Sequence, residues 1–265
     1  MFNGDFNWLN IDSAAFERIN RTVLDFQATR GNVETELHRS GDEGDAGCGC
    51  AYPESVGEDV VQWSNHIMRR LQDTALAFPA LTAQLTALPM WLRLDVCGQR
   101  IAIVHGDAQS LSGWGFATEM LANPAHQRTV TEWFRRAQVD GFACSHSCLP
   151  VFYRGAGELP GQSHFVLNNG AAGMPNFAKT QYGLLTRIAT TPYAGPERVL
   201  GMRHGPLFLD ALALHYDTAN WQAQFLAQWP PGSPAHLSYW GRIQHGPQFT
   251  PSQAVLDCLA PLSSD

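Results

Sequence analysis

The chain has 265 residues, of which 45% are hydrophobic and 15% charged, enough apolar material for a sizeable core and too much for wholesale disorder. Its 17 basic residues against 24 acidic ones give a net charge of -7, the opposite of the basic footprint that marks a nucleic-acid partner. The start, Met1-Phe2-Asn3-Gly4-Asp5-Phe6, has no basic and apolar leader pattern, no apolar run reaches membrane-spanning length, and six cysteines are too sparse for a disulfide scaffold. These features predict a cytoplasmic protein that spans no membrane.

In chain order, Ser13 stands where an N-cap would, and Phe16, Ile19, Val23 and Phe26 follow at helical spacing, which predicts a helix over 13–28. Residues 40–53 are a Gly-rich loop that carries Cys48 and Cys50. A second helix is predicted over 57–76, with Val60, Trp63, Ile67 and Leu71 on one face, and a shorter one over 77–88, ended by Pro89. The β-branched run 100–104 reads as a buried strand that delivers His105 at its end. A helix over 128–137 follows, then a strand over 140–144 delivering Ser145 and His146, and a strand over 163–167 delivering Asn168 and Asn169. Segments 182–188 and 205–212 read as later, antiparallel strands. From Trp229 to Pro251, five prolines accompany Tyr239, Trp240 and Phe249, an aromatic content that predicts an ordered appendage. Alternating strands and helices predict a layered α/β fold. Ligands of such folds bind beyond the carboxyl ends of the strands.

Five segments place chemistry-bearing side chains at those ends: Asn3-Gly4-Asp5, Gly31-Asn32-Val33-Glu34, Val104-His105-Gly106-Asp107, Ser145-His146-Ser147-Cys148 and the run from Asn168 to Pro175. Hydrolysis of a phosphate ester requires water to approach a negatively charged centre. Divalent metals solve this by making water more acidic and by screening the phosphate oxygens. The ligands for that work are a carboxylate, neutral imidazoles and a carboxamide oxygen, the types offered by Asp5, Asn32, His105 and His146. Gly4, Gly31 and Gly106 beside them allow sharp turns and close approach of a substrate.

In these segments the sequence resembles the calcineurin-like metallophosphoesterases, whose ordered blocks are D-x-H, G-D-x-x-D, G-N-H-[DE], an isolated His at a strand end, and G-H-x-H. Gly4-Asp5 corresponds to the second block, Gly31-Asn32-Val33-Glu34 to the third, His105 to the fourth, and Ser145-His146-Ser147-Cys148 to the fifth. The resemblance covers residues 3 to about 190. It implies a β-sandwich flanked by helices in one domain over 1–265, with a core over 1–190 and a C-terminal aromatic and proline-rich extension over 191–265. It implies a hydrolase of phosphate mono- or diesters that uses a metal-bound hydroxide, with one or two divalent ions (Mn, Fe or Zn) and a small-molecule phosphate ester as partner. Asp5 would bridge the metals, Asn32, His105 and His146 would complete one metal site, and Cys148 would stand in the other where the family has its last His.

Four positions depart from the family pattern. No D-x-H precedes Asp5, so either the family's first strand lies ahead of Met1 or the first metal site is reduced. Val33 replaces the third-block His, Cys148 replaces the final His, and Trp8 replaces the second Asp of G-D-x-x-D. These departures motivate an alternative, a catalytically impaired binding or scaffold protein with one or no metal. A third reading builds a zinc site on Cys148 with Cys48 or Cys50. Arg30 and Arg203 are candidates for a phosphate clamp, and His164, His204, His215, His236 and His245 for pocket residues.

Overall fold

The computed structural model describes residues 1–37, 49–50, 52, 56–159 and 161–259. The Gly-rich loop read from the sequence therefore lies outside the described residues except for Gly49, Cys50 and Tyr52. In chain order the elements are β1 (Phe2–Asn3), α1 (Ser13–Leu24), β2 (Ala28–Thr29), α2 (Asn32–Glu36), α3 (Glu58–Ala75), α4 (Pro79–Thr86), β3 (Trp91–Val96), β4 (Gln99–Val104), α5 (Thr118–Leu121), α6 (Pro124–Ala137), β5 (Gly141–Cys144), β6 (Pro150–Ala156), β7 (Ser163–Asn169), β8 (Gly183–Ala189), β9 (Arg198–His204), β10 (Leu207–Leu214), α7 (Thr218–Gln228), α8 (Pro234–His245), α9 (Pro251–Ala254) and β11 (Val255–Cys258).

The strands form a six-stranded mixed sheet in the order β11-β6-β7-β5-β4-β3, a three-stranded antiparallel sheet in the order β8-β10-β9, and a short parallel pair, β1-β2. Side-chain alternation explains the layering. On β7, Phe165 and Leu167 join Ile101, Ile103 and Phe152 against Leu184, Leu207 and Leu209 of the smaller sheet. Val166, between them, turns the other way and packs with Phe142, Val130, Trp133 and Phe134 under α6. Burying a ring such as Phe165 contributes roughly 2–3 kcal/mol.

Helices α1, α3 and α4 enclose Phe16, Val33, Leu37, Met68, Leu71 and Leu85 in a third cluster. The α1 stripe starts at a true cap one residue before the predicted Ser13: the Asp12 side chain accepts the Ala15 amide at 2.8 Å. A fourth cluster joins Leu9 and Ile67 to Phe225, Trp229, Ala235 and Ile243 of α7 and α8.

The segment read as an extension, 191–265, is woven into this architecture. It supplies β9 and β10 to the smaller sheet, the edge strand β11 paired in parallel with β6, and α8 packed on α3. Two of its prolines open helices: Pro234 and Pro251 occupy first-turn positions, where the missing amide costs nothing.

Among the described residues no helix is long and apolar enough to cross a membrane.

Candidate metal centre

The site forms where β1, β2, β4 and β5 end. After β1 the chain turns through Gly4 (φ 71) and Asp5 (φ 55), both left-handed. For Asp5 that conformation costs about 1 kcal/mol, and local hydrogen bonding makes Asp one of the residues that tolerates it. Space dictates the glycines here. A Cβ on Gly31 would lie 2.1 Å from the Asp5 Oδ1, and one on Gly4 would lie 2.6 Å from the His105 Nδ1.

The buried Glu34 pins the two turns together, its Oε2 accepting the Asp5 amide at 2.7 Å and the Gly31 amide at 2.9 Å. The Val33 amide donates to the Asp5 Oδ1 at 3.0 Å, which leaves Oδ2 to face the site.

Four donors then converge. The His105 Nε2 lies 3.0 Å from the Asp5 Oδ2, 3.0 Å from the Asn32 Oδ1 and 3.2 Å from the His146 Nδ1. The ligand atoms of Asp5, His105 and His146 all lie within 4.8 Å of one another. The other nitrogen of His105 is committed: Nδ1 sits 3.0 Å from the Asn3 carbonyl and 3.0 Å from the Ser145 hydroxyl, which itself donates to the Asn3 carbonyl at 2.6 Å. An imidazole that donates through Nδ1 turns the Nε2 lone pair toward the cluster, the usual arrangement behind a metal-binding His.

The electrostatics follow from this crowding. Burial works to raise the Asp5 carboxyl, but His105, with help from His146 and the Val33 amide, holds it below the ordinary carboxylate range. Burial works against a charged His105, and the Asp5 carboxylate overcomes it, raising that imidazole. His146, buried and next to His105, is pushed down to about 4. Burial and the nearby Asp5 raise Glu34 to about 7.

Without a cation, four lone-pair donors share what protons His105 and His146 carry. A divalent cation replaces those protons and satisfies all four. One carboxylate, one carboxamide oxygen and two imidazoles suit Mn, Fe or Zn. The residues present therefore fit a metal ion.

The remaining predicted residues fall elsewhere. Cys148, at the end of the turn after His146 (φ 56), is exposed, and its sulfur is outside the converged group. The Cys50 sulfur is in a disulfide, so it offers no thiolate to a zinc site. It accepts a hydrogen bond from the Asn32 Nδ2 at 3.4 Å, and Cys48 lies outside the described residues. Val33 packs into the cluster under α3 and α4. Trp8 reaches α8 instead, donating to the Tyr239 hydroxyl at 2.7 Å.

Asp107 closes its own loop by accepting the amides of Gln109, Ser110 and Gly115. Asn168 braces the turn before β6, donating to the Ser147 hydroxyl at 3.0 Å. Arg30 donates to the Thr86 carbonyl, and Arg203 lies over the Phe208 ring on the smaller sheet. His164 and His204 are buried in the core, His215 packs against Tyr182, and His236 stacks on Trp240.

The sequence reads Trp114 as core, but its ring meets His146 edge-on at 5.3 Å, and the sequence reading missed Tyr52, 6.4 Å from Trp114. It also missed Arg242, which donates to the Cys148 carbonyl at 2.8 Å. Trp114 belongs to the loop that follows His105, whereas only the packing of distant segments brings Tyr52 and Arg242 to the strand ends.

No family model matches this chain, and no curated protein matches it. Solved structures do. A metallophosphoesterase from Sphaerobacter thermophilus aligns with a TM-score of 0.52 at 15% identity, over 89% of this chain and 85% of that one. The fold is that of a metallophosphoesterase. A hypothetical protein from Pyrococcus horikoshii OT3 aligns with a TM-score of 0.55 at 12% identity, over 94% of this chain and 85% of its own. At these identities the likeness concerns the metallophosphoesterase fold, and the chemistry has to be argued from the side chains.

Proposed function

We propose that the chain hydrolyses small-molecule phosphate mono- or diesters at a divalent metal ion held by Asp5, Asn32, His105 and His146. The observation that carries this reading is the convergence of the Asp5 Oδ2, the Asn32 Oδ1 and the His146 Nδ1 on the His105 Nε2 at the strand ends. The ion would act as a Lewis acid on the phosphoryl oxygens and lower the pKa of a water. The chain's own part is orientation. Asn3 and Ser145 keep the His105 Nε2 facing inward, the Val33 amide leaves one Asp5 oxygen available, and Glu34 fixes the turns that carry Asp5 and Asn32.

The test is hydrolysis of an aryl phosphate monoester and diester by protein loaded in turn with manganese, iron or zinc, with bound metal measured in the same samples. Turnover that chelation abolishes is the expected result. Loaded protein that cleaves neither ester with any of the three metals would sink the hydrolase reading.

Two observations favour a second reading, a binding protein with one or no metal: Val33 lies in the core where the family pattern has a His, and Cys148 lies outside the donor group. Metal stoichiometry tests it: two metals per chain argue against the binding protein, while no metal, with melting indifferent to chelator, supports it.

A further inference from the structure

The C-terminal helix brings an arginine to this site under unusual terms. Arg242 on α8 donates through Nε to the Pro175 carbonyl at 2.9 Å, and through Nη2 to the Cys148 carbonyl at 2.8 Å and the Asn176 Oδ1 at 3.1 Å. All three acceptors are neutral. Among the described residues no carboxylate pairs with Arg242, although Arg21, Arg93, Arg100, Arg135, Arg154, Arg187 and Arg198 each meet one there. The anchored Nε and Nη2 fix the plane of the guanidinium, and Nη1 has no acceptor among the described residues. A half-buried cation facing neutral groups is costly unless an anion completes it. Burial does depress the Arg242 pKa below its usual value.

The surroundings repeat the pattern. Tyr239 shares the face of α8 with Arg242, three residues away. Its oxygen accepts the Trp8 indole N–H at 2.7 Å, and its own proton has no acceptor among the described residues. The Tyr216 hydroxyl is enclosed with no partner among the described residues, and it feels the Arg242 charge. The Arg242 Nη1 and the two tyrosine hydroxyls therefore have no acceptor among the described residues. The metal centre adjoins this region: the Cys148 carbonyl that accepts from the Arg242 Nη2 belongs to the turn that follows His146.

We propose that Arg242, with the hydroxyls of Tyr216 and Tyr239, holds phosphate oxygens of the ester bound at the metal centre, so that the C-terminal segment recognises the substrate. A phosphate group offers several acceptor oxygens to this set, and a guanidinium matches its geometry. This rests on the phosphoesterase reading above, and the experiment is arranged so that the two can fail separately.

Binding of inorganic phosphate is measured by calorimetry to wild-type protein and to Arg242→Met, with and without manganese, and aryl phosphate kinetics are measured alongside. The expected result is a loss of phosphate affinity on the order of tenfold or more in Arg242→Met, with KM raised more than kcat is lowered. Arg242→Lys should recover part of it. If wild-type and folded Arg242→Met protein bind phosphate equally, the proposal is overturned, whatever the hydrolysis assay shows. If no ester is cleaved but phosphate binding still depends on Arg242, the anion site stands and the hydrolase reading falls. Should Arg242→Met fail to fold, Tyr216→Phe and Tyr239→Phe decide, since both leave the guanidinium anchors in place. A weaker phosphate affinity in either supports the proposal, and unchanged affinity in both overturns it.

Discussion

The two flanks of the centre are built from opposite materials. On one, at the ends of β1, β4 and β5 and the start of α2, oxygen and nitrogen lone pairs converge on the His105 Nε2. On the other, around the face of α8, the Arg242 Nη1 and the hydroxyls of Tyr216 and Tyr239 have no acceptor among the described residues. Crowded lone pairs call for a cation and crowded donors call for an anion. A site with both is suited to a metal ion and the negatively charged group the ion attracts. The flanks also differ in origin, since the first comes from local strand ends and the second from Tyr216 and the later helix α8.

The sharpest way to break this comparison is to remove the atom on which the first flank converges. In His105→Ala the remaining donors lose their common neighbour. Bound metal is expected to vanish from the purified protein, and ester hydrolysis to fall on the order of a thousandfold or more, as several kcal/mol of metal-derived stabilisation disappears. Metal analysis and kinetics on one preparation check it. Full metal occupancy in this variant would mean that the convergence is only a hydrogen-bonded cluster. Phosphate affinity of the metal-free variant should survive, because the second flank is untouched.

A smaller effect tests whether acid acts on the flanks or on the fold beneath them. His164 on β7 stacks on Phe134 at 4.0 Å, its Nε2 is buried without a partner, and burial, with His204 nearby, pushes its pKa down to about 4. The folded state therefore keeps it neutral, while the unfolded chain protonates it near 6.5. Below pH 6.5 the unfolded state binds the proton that the folded state refuses. Stability then falls as pH drops from 6.5 towards 4 and levels off below, a loss of at most about 3 kcal/mol. In His164→Phe, denaturant titrations of metal-free protein from pH 7 to 4 should show a flatter acid limb, with metal content at neutral pH unchanged. An acid limb as steep as that of wild type would shift the cause to the centre itself.

The sequence made the first flank legible and hid the second, for physical reasons. Asp5, Asn32, His105 and His146 each follow a short apolar strand and stand beside Gly4, Gly31 or Gly106 or the Ser145 turn, so local pattern was enough to find them. Arg242 offered no such signal. Its helix begins at Pro234, and the surrounding prolines and aromatics read as an ordered appendage with no helix assigned, although Pro at the first turn is compatible with a helix. The strand β6 was hidden likewise behind Pro150 at its start and Gly155 near its end. In contrast, β3 carried a legible alternation, Leu92, Leu94 and Val96 inward and Trp91, Arg93 and Asp95 outward, that went unread. Cys148 shows the limit of motif correspondence: its place in the block matches a ligand, but the left-handed turn leaves it exposed and outside the donor group.

The smallest effect concerns how the first flank holds its geometry. The Ser145 hydroxyl ties three segments together, donating to the Asn3 carbonyl after β1 while touching the His105 Nδ1 after β4, from its own place after β5. It contacts no other donor of the cluster, so Ser145→Ala removes support and leaves all four ligand atoms. Loss of a group that orients a metal-binding His typically costs 10- to 100-fold in affinity. Here the Asn3 carbonyl still receives the His105 Nδ1 at 3.0 Å, which favours the lower figure, about tenfold. Competition against a metal-binding dye measures it directly. An unchanged affinity would assign the orientation of His105 to the Asn3 carbonyl alone. A loss as complete as that in His105→Ala would mean that the turn after β5, and His146 with it, depends on this one hydroxyl for its position.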